Sequence, residues 1–202
     1  MAREFPDVRF ERYADDAVVH CVSKAQAQEV LDAIAKRMAQ VGLELHPGKT
    51  RTVYCKDSHR RGSHEHQRFD FLGYTFRPRL ATGRRGPFVS FSPAVSEDAA
   101  KAIRQKIRGW RLHVRSASSL DDLARDINPI VRGWANYYGR FYRSRLVRSF
   151  RNIDDYLVRW AMRKYKKLRS ARRKAVEWLE RVRRREPSLF VHWTLGSQRL
   201  AG

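Results

Sequence analysis

Four groups of side chains in this sequence have the chemistry of a functional site. Asp15 and Asp16 adjoin in Tyr13-Ala14-Asp15-Asp16, between the β-favouring runs Phe10–Tyr13 and Ala17–Cys21. The pattern predicts a hairpin with paired carboxylates at its tip. Successive strand residues point to opposite faces, so the two acids have different tasks unless the corner re-aims one. A carboxylate aimed into a cleft is a hard oxygen ligand for Mg²⁺, an ion held by one or two carboxylates plus substrate phosphates. Two such ions roughly 4 Å apart would clamp the attacking and leaving oxygens of a phosphoryl transfer. The plainer alternative is a turn whose Asp side chains bond nearby backbone. Lys49 follows the turn signal Pro47-Gly48 and, taken alone, reads as an ordinary exposed lysine. Cys55, His59, His64 and His66 are zinc-ligand types within one polar loop, but their spacing matches no closed structural site. The fourth group is a long series of arginines in the second half of the chain.

The elements that must position these groups differ between the halves. After the hairpin, Ser23 with Gln26 opens an amphipathic helix. Val30, Leu31, Ile34, Ala35, Met38 and Val41 form its core stripe against the hairpin, and Gly42 is its left-handed stop. Thr50–Tyr54 reads as a strand. Phe69–Phe76 reads as strand, glycine, strand, with Gly73 marking a bulge or a close backbone approach by a ligand. Residues 77–87 read as a basic loop, followed by a short return strand at Phe88, Val89 and Phe91. From Ser96 onward the periodicity is helical. Helices open at Ser96, at Ser119 with Asp122, at Asn128 before Pro129, and at Ser149. Residues 163–185 form an Arg-rich helix, and Ser188–Leu195 adds a terminal strand or docks. The expected fold class is α+β, with domains at 1–94 and 95–186 and a tail at 187–202.

Charge follows the same division. The 202 residues carry 43 Lys and Arg against 21 Asp and Glu, net +22. Residues 1–100 hold 16 basic and 13 acidic residues, whereas residues 101–202 hold 27 and 8. Such a field seeks polyanions with steep salt dependence, and arginines interleaved with Trp, Tyr and Phe favour nucleic acid over mere solubility. With 42% hydrophobic residues the chain is not a disordered polycation. No apolar run approaches a membrane span. Two cysteines are too few for a disulfide scaffold, so a reducing cytoplasm is the expected location.

The order of the motifs carries a resemblance. Tyr13-Ala14-Asp15-Asp16 resembles the metal-binding hairpin of reverse transcriptases, Lys49 in Leu45–Thr50 resembles their lysine motif, and Phe71-Leu72-Gly73-Tyr74 looks like the primer-grip hairpin. Asn128–Tyr138 resembles the maturase-specific domain, or thumb, of bacterial group II intron proteins. Together these resemble the C-terminal portion of a group II intron reverse transcriptase/maturase, a partial palm followed by a basic helical thumb. The resemblance implies Asp15 and Asp16 as Mg²⁺ ligands, two ions serving the complete palm, and Lys49 as a catalytic general acid toward pyrophosphate. It implies Tyr13, Phe71, Leu72, Gly73 and Tyr74 at the primer, and Arg132, Asn136, Arg140, Arg143, Arg145 and Arg148 on intron RNA. Trp134, Tyr137 and Tyr138 also fall in the maturase signature, where helical spacing favours a core role over base stacking.

The implied partners are group II intron RNA and an RNA template with its DNA primer. The same resemblance asks for a further metal-binding aspartate and for fingers upstream of Tyr13, so the chain alone is expected to be incomplete as a polymerase. The alternatives are a non-catalytic RNA-binding maturase module, a half-enzyme completed by a separate N-terminal reverse-transcriptase segment, or a decayed remnant.

Overall fold

A computed structural model describes residues 4–60 and 62–197 of the chain. Its element order confirms an α+β fold, with two small antiparallel sheets and six α-helices among the described residues. Two compact units are present, and they interleave in sequence. The first comprises residues 1–71 and 77–91, the second residues 72–76 and 92–202.

In the first unit, β1 (Arg9–Tyr13) and β2 (Asp16–His20) pair antiparallel, with Tyr13 opposite Asp16 and Arg9 opposite His20. Glu11 and His20, diagonal neighbours on one face, approach to 2.5 Å. α1 (Lys24–Gln40) starts where Ser23 Oγ accepts from the Gln26 N–H, while Gln26 Oε1 accepts from the Val22 N–H. It stops at Gly42, whose φ of +72° suits a residue without Cβ. The stripe expected to be core is only partly covered: Val30 alone is buried, Leu31, Ile34 and Met38 are half-buried, and Val41 is 54% exposed. The reason is plain in the hairpin, whose strands are themselves exposed or half-buried and offer no second layer to pack on. Thr50–Tyr54, expected as a strand, is irregular chain, because its one inter-segment backbone bond, Tyr54 N–H to His66 O, is too little for a ladder.

A three-stranded sheet of order β3-β4-β5 follows, built from Phe69–Phe71, Tyr74–Gly83 and Gly86–Val95. Residues 77–83, expected as loop, continue β4 straight through Pro78. β3 has only three residues, so across its two-residue turn it reaches no further than Phe76. Pro78 therefore lies beyond β3, where a missing N–H costs no ladder bond.

The helical unit has the core. α2 (Glu97–Gly109) begins at Ser96, and α3 (Leu120–Tyr138) begins at a full capping box between Ser119 and Asp122. Hydrogen bonds from the Ser119 backbone and hydroxyl hold the Asp122 carboxyl below its ordinary pKa. Between these helices, Leu112–Val114 forms a short 3₁₀ turn. Asn128-Pro129, expected to start a helix, sits inside α3. Asn128 instead faces the chain's C-terminal region, donating to Leu189 O at 2.8 Å and accepting from the Val191 N–H at 3.0 Å.

α4 (Arg143–Lys164) starts six residues before Ser149, which is buried within it and caps nothing. α4 packs against α2, α5 (Arg172–Arg185), α6 (Val191–Ser197) and the 3₁₀ turn. The centre is fully buried Trp160, whose indole N–H donates to Arg115 O at 3.0 Å. Residues 188–195, expected as a strand or docked segment, dock through helix α6, with Phe190, His192 and Trp193 buried. None of the described helices is long and apolar enough to cross a membrane.

Candidate active site and nucleic-acid interface

The hairpin tip is built by strand pairing and one strained residue. Ala14 takes φ +52°, a left-handed value that lets a two-residue loop, Ala14-Asp15, reverse the chain. Arg12 Nε donates to Ala14 O at 2.8 Å and ties the loop to its own strand. Asp15 occupies the loop and Asp16 the first position of β2, so the corner separates the two acids by role as well as by face. Both carboxylates are exposed, and Tyr13 beside them is 64% exposed. Among the described residues neither acid accepts a hydrogen bond or forms an ion pair. The backbone-bonded turn that would explain an Asp-Asp pair structurally is therefore not made. The tip instead offers free, hard oxygens on a two-strand support, the donor type that suits Mg²⁺. No third His, Cys, Asp or Glu joins them among the described residues.

Lys49 lies exposed in the turn that follows His46, where its N–H and that of Thr50 both donate to His46 O. The Cys55–Arg68 loop is held by local contacts. Tyr54 and His64 rings lie 4.2 Å apart, His59 N–H donates to Asp57 Oδ1, and Ser58 bonds both backbone groups of Val89. Cys55, His59, His64 and His66 do not gather into a metal cluster. Burial pushes the Cys55 thiol up, with Arg60 pulling it down and Asp57 adding to the rise.

Residues 72–76 belong to the helical unit because α3 holds them there. Leu72 (φ +50°) and Gly73 (φ +75°) form the turn between β3 and β4. Two consecutive left-handed residues match the turn type whose twist suits a hairpin. What approaches Gly73 closely is protein: a Cβ there would sit 2.7 Å from the Tyr138 hydroxyl. Two tyrosines clasp the turn reciprocally. Tyr74 donates its hydroxyl to Tyr137 O, and Tyr137 donates its hydroxyl to Leu72 O at 2.9 Å. Burial, then the neighbouring phenols Tyr137 and Tyr138, push the Tyr74 hydroxyl above its ordinary pKa against the pull of Arg140. Burial and Tyr137 do the same to Tyr138. Tyr74 of the clasp and Tyr138 beside it thus keep their protons throughout the physiological range. Phe71 is half-buried, whereas Leu72 is exposed.

The arginines of the maturase-like stretch fall into two classes. Arg132 and Asn136, one turn apart on α3, are exposed with no side-chain hydrogen bond or ion pair among the described residues, as are Arg140 and Arg148. Arg145 is engaged by Glu97, and Arg143 is half-buried. Trp134 packs between Trp110 and Phe150, at 5.7 and 6.3 Å between ring centroids, while Tyr137 is 48% exposed. The Tyr137–Tyr74 clasp carried no local signal, since its partners are 63 residues apart.

Two family models match the sequence: reverse transcriptase (RNA-dependent DNA polymerase) over residues 1–76, and group II intron, maturase-specific domain, over residues 100–178. No curated protein and no solved structure gives a significant match.

Proposed function

Because the chain belongs to the group II intron reverse transcriptase/maturase family, we propose that its helical unit binds intron RNA and that its hairpin tip serves RNA-directed DNA synthesis. The observation that carries this reading is the state of the groups themselves: Asp15, Asp16, Arg132, Arg140 and Arg148 are exposed and unspent. Structural carboxylates and arginines spend themselves on caps and ion pairs, as Asp122 and Arg145 do here. Asp15 is the principal Mg²⁺ ligand and Asp16 its neighbour; the ions, when bound, stabilise charge on the transferring phosphoryl group. Lys49 supplies a cation, and a proton at Nζ, toward the leaving pyrophosphate. Tyr13, Phe71, Leu72, Gly73 and Tyr74 hold the primer strand, the last three steadied by Tyr137 and Tyr138. Arg132, Asn136, Arg140 and Arg148 contact RNA phosphates, with Arg143 and Arg145 at their edge.

One observation favours a partner in this work. Several apolar residues of the first unit are uncovered, with Phe10 49%, Leu43 57% and Leu80 65% exposed. A separate polypeptide carrying the rest of a reverse-transcriptase palm would cover such residues and bring the third carboxylate to Asp15 and Asp16. Primer extension with Mg²⁺ and all four deoxynucleotide triphosphates tests this. The chain alone is expected to be inactive, and addition of an upstream palm-and-fingers segment is expected to restore extension that Asp15→Ala abolishes. Extension by the unmixed chain, or extension in the mixture that survives Asp15→Ala, would refute the reading.

A further inference from the structure

Two depressions of the helical unit differ in the charge of their lining. The one of about 490 Å³ at the start of α3 has Lys164, Arg181 and Arg185 among its lining, balanced by Asp121 and Glu186. Lys164 there already donates to Ser116 O and Ser118 O, and Arg185 pairs with Glu186. The other, of about 640 Å³, is lined by His113, Arg159, Met162, Arg163 and Arg169, with no carboxylate. None of its three arginines has an ion-pair partner among the described residues. Arg159 and Arg163 are four apart on α4 and share a face, an arrangement that self-repulsion disfavours unless an anion sits between them.

Two of the lining residues, His113 and Arg159, rest on one aromatic ring. His113, from the 3₁₀ turn, stacks on Tyr156 with ring centroids 5.5 Å apart and planes 27° apart, and the Arg159 guanidinium lies 5.5 Å from the same tyrosine ring. These contacts fix the direction of Arg159. His113 registers the crowding: burial, then Arg163, Arg159 and Arg111, hold its pKa below the ordinary value. Its Nδ1 is buried without a hydrogen-bond partner among the described residues.

We infer that this pocket, formed by the 3₁₀ turn, the C-terminal part of α4 and Arg169, is a phosphate-binding site for the RNA backbone, separate from the arginines of α3 and the start of α4. Planar guanidiniums match phosphate oxygens two at a time, and three of them unpaired around one recess suit a ligand of at least two negative charges. Successive phosphodiesters of a sharply turned RNA strand meet that description, and so does a free polyphosphate; the arms of the test separate the two. The inference rests on the reading that the helical unit binds RNA, and it specifies where.

The test uses the full chain, a structured group II intron RNA, and inorganic tripolyphosphate. Arg159→Gln/Arg163→Gln changes two exposed side chains and is expected to leave the thermal transition in place. It should weaken RNA binding by about tenfold or more and lower the slope of log affinity against log salt by about two. The second readout is the His113 titration followed by NMR. RNA neutralises Arg159, Arg163 and Arg169, so His113 should titrate at higher pH in the complex, and this rise should vanish in the double variant. Unchanged affinity in the double variant, with Arg132→Gln/Arg140→Gln still weakening RNA, would overturn the pocket and leave the RNA reading standing. A His113 shift with tripolyphosphate that RNA neither reproduces nor competes away would overturn the RNA assignment of the pocket. Failure of the wild-type chain to bind the RNA at all would overturn both readings together.

Discussion

Among the described residues, the first unit buries two apolar side chains, Val8 and Val30, whereas the helical unit buries twenty-two in one continuous cluster. Both units contain well-formed amphipathic elements, so the difference lies in what those elements have to pack against. α4 is covered by α2, α5, α6 and the 3₁₀ turn. α1 and the β1–β2 hairpin have no comparable cover, and Val22, Val41 and Leu43 are 94%, 54% and 57% exposed. Periodicity tells which face of an element is apolar, but only a second layer turns that face into a core. The comparison also separates the two candidate sites: the candidate metal ligands stand on the thinly cored unit, the candidate RNA-binding arginines on the thickly cored one.

The most severe way to break the contrast is to remove its centre. Trp160→Ala empties the middle of the helical cluster and orphans the Arg115 carbonyl, at a cost of about 3–5 kcal/mol. The helical signal at 222 nm in a urea titration should lose most of its cooperative transition. A small shift in midpoint would mean that the cluster is not what holds this unit.

A middle-sized effect sharpens the account of α6. Burial pushes the Asp154 carboxyl up, but the hydrogen bond and charge of His192, the Trp193 indole N–H and the charge of Arg183 outweigh it, leaving the pKa depressed. His192 Nε2 and Trp193 Nε1 lie 2.9 and 2.8 Å from Asp154 Oδ1. A depressed carboxylate contributes stability that is complete above its unfolded value of about 3.9 and is lost as pH falls through the folded value. Asp154→Asn should therefore cost about 1–2 kcal/mol near neutral pH, and its stability curve should converge on the wild type below about pH 4. A constant gap between the two curves down to strong acid would show that the carboxylate's charge is not what fastens α6.

The smallest effect belongs to the first unit. Val30→Ala removes its best-buried helix side chain and should cost about 1 kcal/mol locally. Tryptic cleavage at Lys36 and Arg37 in α1 should quicken, while the 222 nm transition of the helical unit stays within about 0.5 kcal/mol of the wild type. A matching loss in that transition would mean that the units unfold as one.

The parts legible in the sequence were those set by neighbours in the chain. Ser23, Ser96 and Ser119 mark helix starts because a cap is a bond to the residue three positions on. The Asp15-Asp16 corner is legible for the same reason. Asn128-Pro129 and Ser149 carry equally good local signals and start nothing. Asn128 is taken by Leu189 and Val191, and Ser149 is buried against helices whose positions no local pattern specifies. Residues 77–83 show the converse, since their Pro and Gly suggest a loop that the sheet overrides. In the candidate sites, single residues were legible but not their grouping: neither the tyrosine clasp nor the arginine recess uses sequence neighbours alone.

The clasp has a consequence for the order in which the molecule assembles. Tyr74 and Leu72 find their partners 63 and 65 residues further along, at the far end of α3. The turn at Leu72-Gly73 and the first residue of β4 cannot settle until that distant helix end exists. On a growing chain, the bend that would grip a primer is thus a late arrival, waiting on synthesis of the segment that completes it.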